Sequence, residues 1–173
     1  MTTISAPEKL HTYSGLPLQI RPATDYDEEQ LIRFFRNVSE ADRRFRFLSG
    51  DDRVGHSQVG PLIHVDHFRT ESYLAFETIE GRLVATGQLA CDPDFSTAEV
   101  AVSVRRDFRG HGIGWALLEK LGSEAFQRGA RRVIAIEDRS NTAAIALEEE
   151  SGFVATPFEG DPSLVLLVKE RPD

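Results

Sequence analysis

Hydrophobic residues recur along the chain at two spacings, one typical of helices and the other of strands. After a short predicted strand at Leu18–Arg21, helical spacing begins in a group that forms one apolar face: Leu31, Phe34, Phe35 and Val38. Ser39 with Asp42 three residues later is the pattern of a helix N-terminus, so a second short helix is predicted through Phe45 and Leu48. The sequence thus predicts two consecutive helices early in the chain.

The middle of the chain has the pattern of short strands joined by turns. Three strands are predicted: Tyr73–Ile79, Leu83–Ala90 and Glu99–Val104. Glu80 and Gly81 form the turn of an antiparallel hairpin between the first two. Before these strands, residues 50–70 are polar and irregular, and only a helical turn is predicted near Pro61–Val65.

The last third of the chain combines both patterns. A helix is predicted from Gly112 to Arg128, with Gly129 as its C-terminal cap. The elements predicted after it are the strand Arg132–Glu137, the helix Asn141–Glu150, and the strands Phe153–Ala155 and Leu164–Val168. The strand–helix–strand unit from Glu99 to Glu137 requires parallel strands, whereas the earlier hairpin is antiparallel. We therefore predict one α/β domain with a mixed sheet at residues 18–173, preceded by a tail at residues 1–17.

Charge and composition exclude several function classes. The 173 residues carry a net charge of −8 and have a pI of about 5.2, which argues against nucleic-acid binding because that needs a basic face. The single cysteine, Cys91, excludes an internal disulfide, and no stretch approaches the ~20 apolar residues of a membrane span. Residues 1–17 do not have the pattern of a secretory signal, so we expect a cytoplasmic protein without membrane partners. The acidic charge is compatible with an amine substrate.

A glycine-rich loop leads from a predicted strand into a predicted helix: Arg109, Gly110, His111, Gly112, Ile113 and Gly114. The N-terminus of a helix has unpaired N–H groups and a partial positive charge, and glycine lets a phosphate approach the backbone closely. The loop lacks the Gly-Lys-Ser/Thr of a P-loop and the spacing of a dinucleotide-binding loop. The residues alone are equally compatible with a pyrophosphate site and with a plain tight turn.

The spacing Arg109-x-x-Gly112-x-Gly114 resembles the R/Q-x-x-G-x-G/A signature of the GNAT acetyltransferases. Other segments that resemble this family are Ala98–Val104, Trp115–Leu118, Asn141 and Gly152–Phe153. A more specific resemblance, to the acetyltransferase domain of bacterial Pat-type protein lysine acetyltransferases, involves Ile20–Pro22, Phe34–Phe35, Arg43–Phe47, Val65–Asp66 and Ala98–Glu99. The resemblance implies a mostly antiparallel mixed sheet with a central βαβ unit and helices on both faces.

The same resemblance implies acetyl-CoA as co-substrate, and no metal is expected. The backbone of Val102, Ser103 and Val104 would run beside the pantetheine arm, and Asn141 would lie near that arm from the neighbouring strand end. The residues implied to hold the pyrophosphate are Arg109, Gly110, His111, Gly112, Ile113, Gly114 and Trp115.

Glu99 is the candidate general base. A lysine-like amine has a pKa near ~10.4, so acetyl transfer needs a group that accepts its proton. Strand alternation puts Glu99 on one face with Ala101 and Ser103, about 13 Å before Ser103 at ~3.3 Å per residue. A partly buried position would strengthen Glu99 as a base, and the Pat-type resemblance points to a glutamate here too. The alternative is a solvated glutamate that begins a strand.

Many GNAT enzymes place a tyrosine as general acid at the position that Glu148 occupies here. The resemblance therefore implies that the thiolate leaves unassisted, as a thiol of pKa near ~8.5 can, or with help from water or another residue. Glu148–Glu150 is most simply a solvated helix end, and Arg43, Arg44 and Arg46 a solvated helix face.

Two other candidates for chemistry have simpler explanations. Cys91 is interpreted as a small apolar filler rather than a nucleophile. His64 and His67 are interpreted as solvent-facing loop residues rather than metal ligands, because their spacing is loose and no other ligand cluster is visible.

Together these features predict an acetyl-CoA-dependent N-acetyltransferase that transfers acetyl directly to a primary amine, with a protein lysine as the leading acceptor. Two alternatives remain open at this point. One is a small-molecule amine N-acetyltransferase, and the other is a non-catalytic acetyl-CoA-binding regulatory module.

Overall fold

The computed structural model describes residues 6–47 and 54–173, and it is built around one eight-stranded sheet. The strands are β1 (Glu8–His11), β2 (Pro17–Pro22), β3 (Thr70–Glu77), β4 (Leu83–Cys91), β5 (Thr97–Val104), β6 (Arg132–Asp138), β7 (Val154–Pro157) and β8 (Leu164–Glu170). Their order across the sheet is β1-β2-β3-β4-β5-β6-β8-β7, and every neighbouring pair is antiparallel except β5 and β6. The predicted mixed, mostly antiparallel sheet is confirmed.

In the described part of the chain, five α-helices surround this sheet: α1 (Glu28–Arg36), α2 (Glu40–Phe47), α3 (His56–Ile63), α4 (Ile113–Gln127) and α5 (Thr142–Glu150). The prediction of an irregular segment before β3 is wrong where α3 forms. Val59, Leu62 and Ile63 give this helix a buried face against α1, although Pro61 in the middle hides the helical signal. Leu48 and residues 50–53, which also carried predictions, lie outside the described residues.

Strand β1 lies within the segment predicted as a tail. It pairs antiparallel with β2, from Glu8 opposite Ile20 to His11 opposite Pro17. Its residues are mostly exposed and polar, as is common for an edge strand, so no alternation marks it in the sequence. This edge strand extends the sheet and ends close to the glycine-rich loop.

The two faces of the sheet carry different helices. Helices α4 and α5 cover one face, where Leu118 and Leu121 of α4 pack with Val100 and Val133 of the central strands. Helices α1 and α3 cover the other face and enclose a separate core around Phe35. The prediction of helices on both faces is confirmed. Within the described residues, no helix is long and apolar enough to cross a membrane.

Glu77 organises the turn between β3 and β4. Its buried carboxylate accepts hydrogen bonds from the backbone N–H groups of Ile79, Glu80 and Arg82, and from the Arg82 guanidinium. Burial alone would raise the pKa of Glu77, but these hydrogen bonds outweigh it and lower the pKa to about 2. The turn therefore depends on the ionised form of this side chain.

Replacing Glu77 with glutamine should destabilise the protein by about 1–2 kcal/mol at neutral pH, because charge-assisted bonds to the turn are lost. Because the pKa is depressed in the folded state, this contribution is present above about pH 4.5 and fades as the pH falls towards 2. Urea unfolding of both proteins at several pH values measures the difference. Glu80→Gln, at an exposed position in the same turn, should change the free energy of unfolding by less than about 0.5 kcal/mol. A difference between wild type and Glu77→Gln that does not vary with pH would contradict this account.

Candidate active site

The site is built around the point where β5 and β6 separate. Their parallel ladder covers three pairs, the last of which is Glu99 opposite Ile134, yet β5 continues to Val104 and β6 to Asp138. β6 remains paired with β8 along its whole length, from Arg132 to Asp138, so it follows β8 and leaves β5. The result is a slot between two strands, with Glu99 at its narrow end.

The glycine-rich loop lies at the far end of β5, after a short turn of helix at Arg106–Phe108. Gly110 and Gly112 have φ values of 78° and 79°, which lie in the left-handed region that favours glycine. Gly112 is the N-cap of α4, and the first intrahelical hydrogen bond runs from the Ala116 N–H to the Gly112 carbonyl. The N–H groups of the first helical turn therefore face an anion-binding position.

The turn between β1 and β2 covers part of this loop. The Ser14 hydroxyl donates to the His111 carbonyl at 2.6 Å, and the Tyr13 ring meets Trp115 edge-on at 6.1 Å between centroids. A Cβ at Gly112 would lie 2.7 Å from the Tyr13 ring, so only glycine fits beside this ring without movement. These contacts cross about 100 residues of sequence, and no local signal could have predicted them.

The walls of the slot carry the other residues expected at a coenzyme site. Val102 and Val104 pack into the cores under α4, whereas Ser103 belongs to the opposite face with Glu99, as strand alternation predicted. Asn141 is the N-cap of α5. Its amide oxygen accepts from the Ala144 N–H at 3.4 Å, and its amide nitrogen donates to the Glu137 carboxylate at 3.1 Å.

Glu99 is exposed, so the burial that would strengthen it as a base is not found. It lies on the sheet face opposite α4, since its neighbours Ala98 and Val100 belong to the core under that helix. The Arg46 guanidinium of α2 approaches both Glu99 and Glu137. Burial lowers the pKa of Arg46, while the negative charges of these two glutamates act in the opposite direction.

The prediction of a solvated arginine face on α2 is correct for Arg44 and wrong for Arg46. Arg44 is exposed and pairs with Glu40 one turn earlier, at 3.1 Å. Arg46 is partly buried, and the negative charges of Glu99 and Glu137 act on its guanidinium. A second contact ties α2 to the loop, since Asp42 and Arg109 form an ion pair at 2.7 Å.

A cavity of about 620 Å³ opens on the sheet face that carries Glu99, although Glu99 itself does not line it. Ala90, which lines it, is directly opposite Glu99 in the antiparallel ladder, so the two side chains share a face. Glu71 also lines the cavity, and its buried carboxylate pairs with His67 at 2.9 Å. The volume lies in the range of small-ligand sites, and the wall includes a negative side chain, Glu71, and a positive one, Arg46.

The structure gives the remaining candidates simple roles. Cys91 is buried in the core under α4, and burial raises the pKa of its thiol, which agrees with a filler role. His64 pairs with Asp25 at 3.1 Å. Among the described residues, no group of three or more histidine, cysteine or acidic side chains is placed to hold a metal.

The helix end at Glu148–Glu150 is only partly as predicted. Glu149 and Glu150 are exposed, but Glu148 is buried and faces the carboxyl group of Glu137 on β6. Sequence reasoning missed this pair, because three consecutive glutamates give no sign of which one points inward.

Solved structures share this fold. The GNAT domain of S. lividans PAT gives a TM-score of 0.85 at 26% identity, over 95% of this chain and 97% of that domain. A cAMP-binding acyltransferase from Mycobacterium smegmatis gives a TM-score of 0.64 at 21% identity, over 97% of this chain and 48% of that protein, which shows the fold alone.

Sequence comparisons point to the same family. An acetyltransferase of Pseudomonas aeruginosa is 26% identical over 154 residues, which are 88% of this chain and 83% of that protein. The family model described as the acetyltransferase (GNAT) family matches residues 25–153, well over half of the chain. The chain therefore belongs to the GNAT acetyltransferase family and is an N-acetyltransferase that uses acetyl-CoA as co-substrate.

Proposed function

We propose that the protein transfers acetyl from acetyl-CoA directly to the amine of a protein lysine, with Glu99 as general base. The observation that carries this proposal is the position of Glu99. It lies where β5 and β6 separate, directly opposite Ala90 in the cavity wall, and on the strand that leads to the glycine-rich loop. A coenzyme in the slot and an amine in the cavity would meet at this carboxylate.

The chain's residues fit the coenzyme along this path. The N–H groups of Ile113, Gly114 and Trp115 begin a 15-residue helix and would hold the pyrophosphate, assisted by the left-handed glycines of the loop. The backbone of Val102–Val104 faces the slot beyond the last β5–β6 pair, so its polar groups on that side have no partner in β6. These groups would bond the amides of the pantetheine arm, and Asn141 would border the arm from α5.

Glu99 would accept a proton from the attacking amine. Its exposure gives it contact with solvent, to which the proton can then pass. Arg46 supplies positive charge near this carboxylate. The thioester supplies the activated acetyl group, so no covalent intermediate on the protein is needed.

A lysine side chain suits the cavity because its amine is at the end of a long, flexible stem. The cavity is open to solvent and has the buried carboxylate of Glu71 in its wall, which would attract an ammonium group before deprotonation. The likeness to the GNAT domain of S. lividans PAT supports a protein acceptor. The same wall would also accept a small free amine, which is the second candidate.

Release of free thiol from acetyl-CoA, measured against lysine-bearing proteins, peptides and small amines, tests the proposal. Release with proteins or peptides supports a lysine acceptor, and acetylated lysine should then appear by mass spectrometry. Release of thiol with small amines alone would show that the acceptor is a small molecule and not a protein. Tight coenzyme binding without turnover on any acceptor would favour a regulatory module.

Glu99→Gln should lower kcat by about 10²–10⁴-fold, because the isosteric amide cannot accept the proton. The Kd for acetyl-CoA, measured by calorimetry, should change less than about threefold. Glu170→Gln, an exposed glutamate at the end of β8, serves as the control and should retain wild-type turnover. Wild-type kcat in Glu99→Gln would show that another group is the base.

Gly112→Ala should weaken acetyl-CoA binding about tenfold, or ~1.4 kcal/mol, because the alanine is strained at positive φ and its methyl group meets Tyr13. Gly110→Ala is the matched control for strain alone, since its φ is equally positive but a Cβ there meets nothing within 4 Å. Adding Tyr13→Ala to Gly112→Ala should restore part of the affinity by calorimetry. Unchanged affinity in Gly112→Ala would contradict the placement of the pyrophosphate.

A further inference from the structure

Arg46 of α2 places a positive charge in the wall of the cavity. Its side chain is partly buried and lies over the ring of Phe47, with 5.6 Å between the guanidinium carbon and the ring centroid. With the residues that the structure describes, this guanidinium forms no ion pair, and none of its hydrogen bonds is to another side chain. A guanidinium has five N–H donors, and burial makes donors without acceptors costly. These donors are therefore suited to a group of the ligand.

The ion pairs of α2 explain why Arg46 lacks a partner on its own helix. Arg44 pairs with Glu40, four residues earlier, at 3.1 Å. The acidic residue four positions before Arg46 is Asp42, but its carboxylate pairs with Arg109 of the glycine-rich loop at 2.7 Å. The contact that ties α2 to the loop thus takes the partner that Arg46 would otherwise have. Its donors remain available in the cavity wall.

The other ionisable side chains of the described cavity wall are already paired. The Glu71 carboxylate binds His67 at 2.9 Å, and His64 binds Asp25 at 3.1 Å. In this part of the wall, Arg46 is therefore the charged side chain that has no bonded partner of opposite sign.

Arg46 is also near the position where the amine reacts. The charges of Glu99 on β5 and Glu137 on β6 both act on its guanidinium. Burial lowers the pKa of Arg46, but arginine titrates so far above neutrality that the side chain stays charged. A group held by Arg46 would therefore belong to the same part of the acceptor as the amine that meets Glu99.

A carboxylate is the acceptor group that fits these donors. The planar guanidinium matches a carboxylate through two parallel N–H···O bonds, and bonds between charged groups are stronger than neutral ones. A phosphate carries about twice the charge of a carboxylate, so the nearby Glu99 and Glu137 would repel it more strongly. An ammonium group would be repelled by Arg46 itself.

We propose that Arg46 determines the choice of acceptor by binding the carboxylate of an aspartate or glutamate next to the acceptor lysine. This proposal rests on the proposed function and deepens it, because it names the kind of lysine that is acetylated. The acidic neighbour is held by Arg46 while the lysine amine reaches Glu99. A free amino acid has a carboxylate close to its amine as well, and so offers the same chemistry from a second source.

Two acceptors that differ in one residue test this selection. A peptide or protein that the wild type acetylates is prepared with aspartate or with asparagine beside the reactive lysine, and thiol release gives kcat/KM for each. The aspartate acceptor should have a kcat/KM about 10–100-fold higher, because the asparagine acceptor loses a bond between two charged groups. Equal values of kcat/KM would overturn the proposal.

Arg46→Gln should reduce this preference to within about threefold, whatever it does to the rate on both acceptors. The ratio is informative because a merely structural role would lower both rates together. Arg44→Gln, at the exposed arginine of the same helix, is the matched control and should keep the wild-type ratio. A wild-type ratio in Arg46→Gln would overturn the role of Arg46.

Arg46→Lys keeps the positive charge but loses the planar pair of donors. We expect it to retain a preference for the aspartate acceptor that is at least about threefold weaker than that of the wild type. If Arg46→Gln does not fold, this variant decides, and an undiminished ratio in it would overturn the proposal.

Free lysine and 1,5-diaminopentane, which is lysine without its carboxylate, separate the two sources of the carboxylate. Thiol release with free lysine but not with the diamine, lost in Arg46→Gln, would support carboxylate binding by Arg46. Without activity on any protein, the same result would overturn the acidic neighbour in a protein and assign the carboxylate to a free amino acid.

Failure of this inference differs from failure of the proposed function. If the wild type releases no thiol with any acceptor, the proposed function is wrong and the selection by Arg46 is wrong with it. If the wild type acetylates lysine equally well beside aspartate and asparagine, the selection alone is overturned.

Discussion

The separation of β5 from β6 is the constraint on which the rest of the molecule depends. β6 pairs along its whole length with β8 but for only three residues with β5. β6 therefore follows β8 and diverges from β5. A continuous sheet would have satisfied the backbone of β5 on both edges. The slot instead leaves polar backbone groups available to a ligand in the middle of an otherwise continuous sheet. It also brings the glycine-rich loop, Glu99 and α5 to the edges of one opening.

Side chains of opposite charge interact around this opening. Asp42 pairs with Arg109, and the negative charges of Glu99 and Glu137 both act on Arg46. Glu148 adds a fourth carboxyl group, which stays protonated because burial and Glu137 disfavour its charge. Removing one arginine would leave neighbouring carboxylates without a positive charge close to them. The charge balance of the slot therefore involves α2 as much as the strands.

The family resemblance and the structure answer different questions. Membership of the GNAT family establishes the fold and the use of acetyl-CoA, and both follow from features that the chain shares with its relatives. The carboxyl pair and the Tyr13 contact with Gly112 are arrangements of this chain's own side chains. They arise where distant segments meet, and they are where we expect its particular chemistry to be determined.

The sequence by itself determined the sheet and most of its helices, the glycine-rich loop and the strand that carries Glu99. These depend on local properties: hydrophobic periodicity, capping residues and glycines whose positive φ other residues disfavour. It did not reveal β1, a polar edge strand, or α3, whose apolar face is interrupted by Pro61.

Only the tertiary structure decided which of several equivalent side chains faces the slot. Arg44 and Arg46 have the same chemistry on one helix, and so do Glu148 and Glu149. Yet Arg46 is partly buried and Glu148 is buried, whereas Arg44 and Glu149 are exposed. Neighbouring helix positions point in different directions, and only packing against the sheet determines which of them is inward. The protonation of a carboxyl group likewise depends on burial and on neighbouring charges, which come from residues far away in the sequence.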